Sequence, residues 1–522
     1  MRLVLASSLL AACGGAAAGV PDGPISLADA PISPADARSP DAAPDASPAL
    51  IPFHEVGRLT MPNGDGNPNT RWAIDDFNGD GRQDFILRLD PQSAFNSDAA
   101  QLMPTSPERF FTQSESGAFA DSTATLTASP LRLINVSRIR AADFNGDGKA
   151  DFVIAASGPD PYVNGMPMGA LPGDRARVIF SGPGGYTNWT ADAADPKFLH
   201  GMCTGDTTGD GKPEAFVLSL FDKSYFLIND GKGNLTVDYS RVPPDIVDSM
   251  QQNVAISKYN DGWWKEWIGP SFTSCVLVDA NRDGHLDLLI LTNTMPYHAL
   301  YLNDGHGDFS KSTRIEVPND IGYGPGTFIG VRAEGQMGYD HIGSAGGVFI
   351  DSLVMDVDGD GHDDVVAIAT KKDDTGSDYL YYRGTRIQIL LNTPGSFAVD
   401  HAPRIVGYAH DPAVNFSHYD VVTAFDFNGD GHKDLMLHRS TSSNFQVDPD
   451  PNTVFLLNDG TGVFTNVTAQ MYLEPGTYFP IAIGGKVGLV RANSIFKSYD
   501  APSNTFTYDL ELVSYVSGIA AR

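Results

Sequence analysis

Six nine-residue segments place oxygen-bearing side chains at one fixed spacing. They begin at Asp76, Asp143, Asp206, Asp279, Asp356 and Asp426. Position 3 is Asn78, Asn145, Thr208, Asn281, Asp358 and Asn428 in turn, and position 5 is Asp80, Asp147, Asp210, Asp283, Asp360 and Asp430. Position 9 is Asp84, Asp151, Glu214, Asp287, Asp364 and Asp434. Glycine stands at position 6 in all six and permits a sharp turn. Position 7 is Arg82, Lys149, Lys212, His285, His362 and His432, whose backbone carbonyls can point inward while the side chains face solvent. Alternate spacing turns successive side chains toward one centre. Hard oxygen donors crowded on a tight loop suit Ca²⁺, which takes six to eight ligands. About six calcium ions are therefore expected. Because clustered carboxylates repel one another without a cation, these ions are expected to support folding.

An EF-hand would need a bidentate Glu at position 12 and a helix after it. Here position 12 is Leu87, Ile154, Val217, Ile290, Ala367 and Leu437, all apolar and set in strand-like runs. The flanks are short and rich in strand formers, as in Leu353-Val354-Met355 before a loop and Leu288-Leu289-Ile290-Leu291 after one. Further on, repeats carry an Asp-Gly turn between apolar runs, as in Phe226 to Leu235, Leu300 to Phe309 and Phe455 to Phe464. Each repeat thus reads as strand, acidic loop, strand, strand, turn, strand. The loop starts lie 67, 63, 73, 77 and 70 residues apart. Four antiparallel strands repeated at such a period predict an all-β, seven-bladed β-propeller. Six or eight blades are the alternatives. The seventh blade is expected to be mixed. A strand at Phe53 to Leu59 would join three from residues 478 to 516, among them Ile481 to Val490, a worn repeat without carboxylates. Pairing the two chain ends would leave no open edge.

The Asp-Phe-Asn-Gly-Asp-Gly loop followed by an apolar strand resembles the FG-GAP/VCBS repeats of integrin-α-like propellers. The resemblance spans residues of about 51 to 522. It implies a calcium-binding loop between the first two strands of each blade. The same fold carries adhesins, lectins and some polysaccharide-cleaving enzymes, so it leaves function open.

The chain has 522 residues and a formal net charge of −29, which argues against nucleic acid and against adsorption to an anionic membrane. Arg2, the apolar run Leu3 to Leu10 and Leu10-Ala11-Ala12-Cys13 resemble a lipoprotein signal, which implies cleavage after residue 12 and a lipid on Cys13. Residues 13 to 50, mostly Ala, Pro, Asp, Gly and Ser, read as a disordered tether. The expectation is an exported protein held to a bacterial membrane, outer membrane or cell surface, by that lipid alone. Cys203 and Cys275 read equally well as a disulfide or as two buried thiols.

The longest departures from the repeat are residues 241 to 272, 313 to 350 and 371 to 386. The first holds Trp263, Trp264 and Trp267. These read as filling between blades, with a sugar-stacking surface as the alternative. Tyr379, Tyr381 and Tyr382 read as a strand with one buried face. The sequence contains neither an HExxH nor a GxSxG motif. Asp340, His341 and Ser344 are neighbours in sequence, which does not make a triad. The functional expectation is a non-catalytic surface module that binds a glycan or protein, the alternative being a polysaccharide lyase or hydrolase.

Overall fold

Strand-forming runs of two to sixteen residues pair in the repeating order that the turns dictate. The computed structural model describes residues 52–64, 66–91, 108–128, 133, 136–158, 173–197, 199–219, 223–246, 272–292, 297–319, 321, 347–372, 382–409, 418–439, 451–500 and 505–521. The leader and tether, the tryptophan segment, Asp340, His341, Ser344, Tyr379 and Tyr381 lie outside these residues. Residues 50–522 form one unit.

Among the described residues this unit holds seven sheets. Blade 1 is Gly66–Asp75, Asp84–Pro91, Arg109–Gln113 and Phe119–Asp121. Blade 2 is Val136–Ala142, Asp151–Ala156, Arg177–Phe180 and Thr187–Thr190. Blade 3 is Leu199–Gly205, Glu214–Ser219, Tyr225–Asn229 and Leu235–Asp238. Blade 4 is Phe272–Val278, Asp287–Thr292, Tyr297–Tyr301 and Ile315–Pro318. Blade 5 is Gly347–Met355, Asp364–Lys372, Tyr382–Thr393 and Ser396–Val399. Blade 6 is Val421–Phe425, Asp434–His438, Thr453–Asn458 and Phe464–Asn466. A fifth strand, Ile405–Val406, joins its outer edge in parallel, which the repeat did not foretell.

Blade 7 is the expected mixture. Thr477–Ile483, Lys486–Asp500 and Thr505–Ala520 are completed on the outside by His54–Gly64. His54 pairs with Val516 and Met61 with Leu510, so the N-terminal strand runs past the predicted Leu59. The worn repeat has lost its loop altogether. Ile483 pairs with Lys486 across Gly484 and Gly485, both at positive φ.

The core lies between blades. Each of seven buried clusters draws side chains from two neighbouring blades. Ring closure is visible in one of them, where Phe85, Leu87 and Phe111 of blade 1 meet Phe479, Ile481 and Leu512 of blade 7. Because each second strand is packed on both faces, Asp151–Ala156, Glu214–Ser219 and Asp287–Thr292 are buried throughout. That explains why these strands read as continuous apolar runs. One turn boundary differs from expectation. In blade 4 the outer strand begins at Ile315, while Phe309 leaves the strand and stacks on Phe226 of blade 3, 5.5 Å between ring centres.

Candidate metal centre

The six acidic loops are superimposable in register. The residue before position 1 pairs with position 9 in every case: Asp75 with Asp84, Ala142 with Asp151, Gly205 with Glu214, Val278 with Asp287, Met355 with Asp364 and Phe425 with Asp434. Each loop therefore links the inner strand of a blade to its second strand.

Backbone amides organise the position-1 carboxylate. In the first loop Gly79 and Asp80 donate to Asp76 Oδ1 at 2.7 and 3.1 Å, and Gly81 donates to Oδ2 at 2.7 Å. The position-6 glycine makes the same bond to Asp143, Asp206, Asp279, Asp356 and Asp426. Position 4 also needs positive φ, a demand the sequence showed as glycine in five loops. The fourth loop meets it with Arg282, at φ 64°. The position-5 carboxylate accepts the position-7 amide in all six, as Lys149 to Asp147 at 3.0 Å shows.

Position 9 is the buried floor of the loop. One oxygen accepts the position-2 amide in each loop: Phe77, Phe144, Thr207, Ala280, Val357 and Phe427 donate at 2.8 to 3.2 Å. In five loops the other oxygen accepts the amide at the end of the blade's third strand, from Gln113, Ser181, Asn303, Asn392 or Asn458. The exception is the third loop, where Glu214 Oε1 is buried with no hydrogen bond. Burial pushes Asp84, Asp151, Asp287 and Asp364 up to about 6 and Asp434 up to about 8, and raises Glu214 as well. Neighbouring carboxylates reinforce the rise at Asp84, Glu214, Asp287, Asp364 and Asp434.

These residues fit a hard divalent cation on two grounds. Asp356, Asp358 and Asp364 bring carboxylate oxygens within 4.8 Å of one another. The orphan Glu214 oxygen is a buried acceptor in want of a donor or an ion. The oxygens at positions 1, 3, 5 and 9 and the carbonyl at position 7 would supply the ligands. The position-7 side chains are exposed or half-exposed, and those of Lys212, His285 and His432 also lie over Gly231, Gly305 and Gly460 of their own blade's turn, where a Cβ would meet them at 2.2, 3.1 and 2.7 Å.

Sequence reasoning missed the residues that knit each loop to its surroundings. Asn229, Asn303, Asn392 and Asn458 end the third strands, and each donates through Nδ2 to the position-8 carbonyl of its own loop. Asn303 and Asn392 also donate to the loop of the preceding blade, at Thr207 O (2.8 Å) and Asp279 O (3.0 Å). Tyr186 performs this task between blades 1 and 2 by donating to Phe77 O and Ala150 O. The signal was present in the recurrent Asn-Asp-Gly, where only the turn was read.

Residues 76–154, which span the first two loops, match the model of the FG-GAP-like repeat. The chain is a seven-bladed β-propeller that carries FG-GAP-like repeats. No curated protein sequence matches it. Among solved structures, the FG-GAP propeller is similar to BBS1N, solved in complex with ARL6DN and soaked with lead, at 8% identity and a TM-score of 0.38 over 89% of this chain and 97% of that one. It is also similar to the Dos1 propeller, at 10% identity and a TM-score of 0.36 over 89% and 96% of the two chains. The repeats and the ring make the FG-GAP propeller a binding or recognition scaffold.

Proposed function

We propose that this chain is a calcium-stabilised, non-catalytic recognition module that engages a glycan or protein ligand at a cell surface. The observation that carries the reading is the six-fold recurrence of one oxygen-lined loop in one strand register, with a buried carboxylate beneath each. Such a set is costly without cations and is committed to holding the blades. Strand order supports a division of labour between the two faces. The acidic loops and the Asn-Asp-Gly turns connect strands at one end of each blade. The chain leaves Pro318 and Lys372 at the other end, and we take that face as the one for ligand. Export and a lipid on Cys13 would present the propeller outside the cell on a tether.

The test is a glycan and protein-ligand binding screen with the full chain, in calcium and in excess chelator, with product analysis in parallel. Saturable, calcium-dependent binding without turnover is expected. Reproducible release of oligosaccharides would replace this reading with the enzyme.

A further inference from the structure

The two cysteines of the propeller unit meet at the seam between blades 3 and 4. Cys203 lies on the inner strand Leu199–Gly205 and Cys275 on the inner strand Phe272–Val278. They are 5% and 3% exposed, both are free thiols, and they share one core cluster with Phe216, Leu218 and Leu277. Glycines set how closely the strands approach. Gly201 and Gly205 stand two residues to either side of Cys203, on the same strand. A Cβ on Gly201 would come 2.9 Å from the Thr273 carbonyl oxygen, and one on Gly205 would come 2.6 Å from Leu286 and 3.4 Å from Leu277. Blade 4 is thus pressed against blade 3 above and below Cys203, with Cys275 on the facing inner strand in the same buried cluster. At the next seam, inner strands bring Ser274 Oγ within 2.7 Å of Ser352 Oγ. Both cysteines are also among the residues lining a cavity of about 360 Å³ bounded by inner strands of six blades.

We propose that Cys203 and Cys275 are a disulfide site, closed by a low-molecular-weight or protein disulfide oxidant, that staples the inner strands of blades 3 and 4. Two S–H bonds break and one Sγ–Sγ bond forms. The two electrons reduce the oxidant's disulfide to two thiols through a mixed-disulfide intermediate, and the two protons go with them. Burial, reinforced by the Cys275 contact, pushes the Cys203 thiol up and makes its thiolate scarce in the closed ring. Exchange is accordingly slow once the blades have docked and fast before. The closed loop, of about 70 residues, contains the three outer strands of blade 3 and the acidic loop with the odd residues Thr208 and Glu214.

The experiment uses the full chain carrying Cys13→Ser, unfolded and refolded either with oxidised glutathione or with a reducing agent. After oxidative refolding a non-reducing digest should yield one linked peptide pair containing Cys203 and Cys275. The oxidised protein should melt several degrees higher than the reduced one. The Cys203→Ala/Cys275→Ala variant should fold and show no such difference. Full alkylation of both thiols after oxidative refolding would overturn the proposal. So would a linked protein that melts with the reduced one.

Discussion

At the scale of single residues, the position-9 carboxylate links metal and fold. Asp364 accepts the amides of Val357 and Asn392 at 2.9 and 2.7 Å and stands close to Asp356 and Asp358. Asp364→Asn keeps the shape and one acceptor but removes a ligand charge. Calcium titration followed by atomic emission should show one ion fewer per chain, and stability in calcium should fall by about 1–3 kcal/mol. Undiminished stoichiometry would separate Asp364 from any ion. His438 makes a second, metal-independent prediction. It is fully buried on the second strand of blade 6, 4.9 Å from the Trp72 ring, and shares a hydrogen bond with Thr423. Burial pushes it down to about 3. The unfolded chain therefore takes up a proton near pH 6.5 that the folded chain refuses until about pH 3. Its contribution is constant above that window, and stability declines as pH falls through it, by about 1.4 kcal/mol per pH unit. Denaturant melts in excess calcium at several pH values should show a shallower acid decline for His438→Gln. Parallel curves would refute the assignment. The acidic loops were legible because their residue types recur at fixed offsets. Asn303 and Asn392 escaped notice because their second partners, Thr207 O and Asp279 O, lie in another blade.

At the scale of elements, the ring depends on the strand that arrives first. His54–Gly64 pairs only with Thr505–Ala520, which comes from the far end of the chain. Removing residues 1–64 exposes the edge of Thr505–Ala520 and uncovers Leu512 and Leu510 in the closing cluster. The truncated chain should lose several kcal/mol of stability and tend to self-associate, and a synthetic peptide of residues 52–64 should restore the melting temperature. A truncated chain that melts like the intact one would show that blade 7 does not need this strand. The sequence showed this closure in outline, since an unmatched strand before the first repeat and unmatched strands after the last must pair or stay open. It did not show the strand's length or the shrinking of the seventh loop to Gly484 and Gly485, because those depend on how far the partner extends.

At the scale of the whole molecule, six oxygen clusters sit along the seams of one ring, so their cations should act together. Chelation should lower the melting temperature of the full chain by ten degrees or so, with recovery on adding calcium but not sodium. Differential scanning calorimetry decides the matter, and an unchanged transition in excess chelator would dismiss structural calcium. In the proposed function the calcium loops and the ligand face lie at opposite ends of the blades. A ligand should therefore bind without displacing calcium, a relation that competition titration reads directly.

The sequence by itself determined the blade and the loop, and favoured seven blades over six or eight. Each is a local pattern, residue types at short offsets repeated at a near-constant period, and local patterns survive without knowledge of neighbours. Only the tertiary structure decided what happens between blades. The seven two-blade core clusters, the asparagine bridges and the meeting of Cys203 with Cys275 all join residues far apart in the chain. Such contacts are set by how closed sheets pack, and no spacing along the chain encodes them one by one.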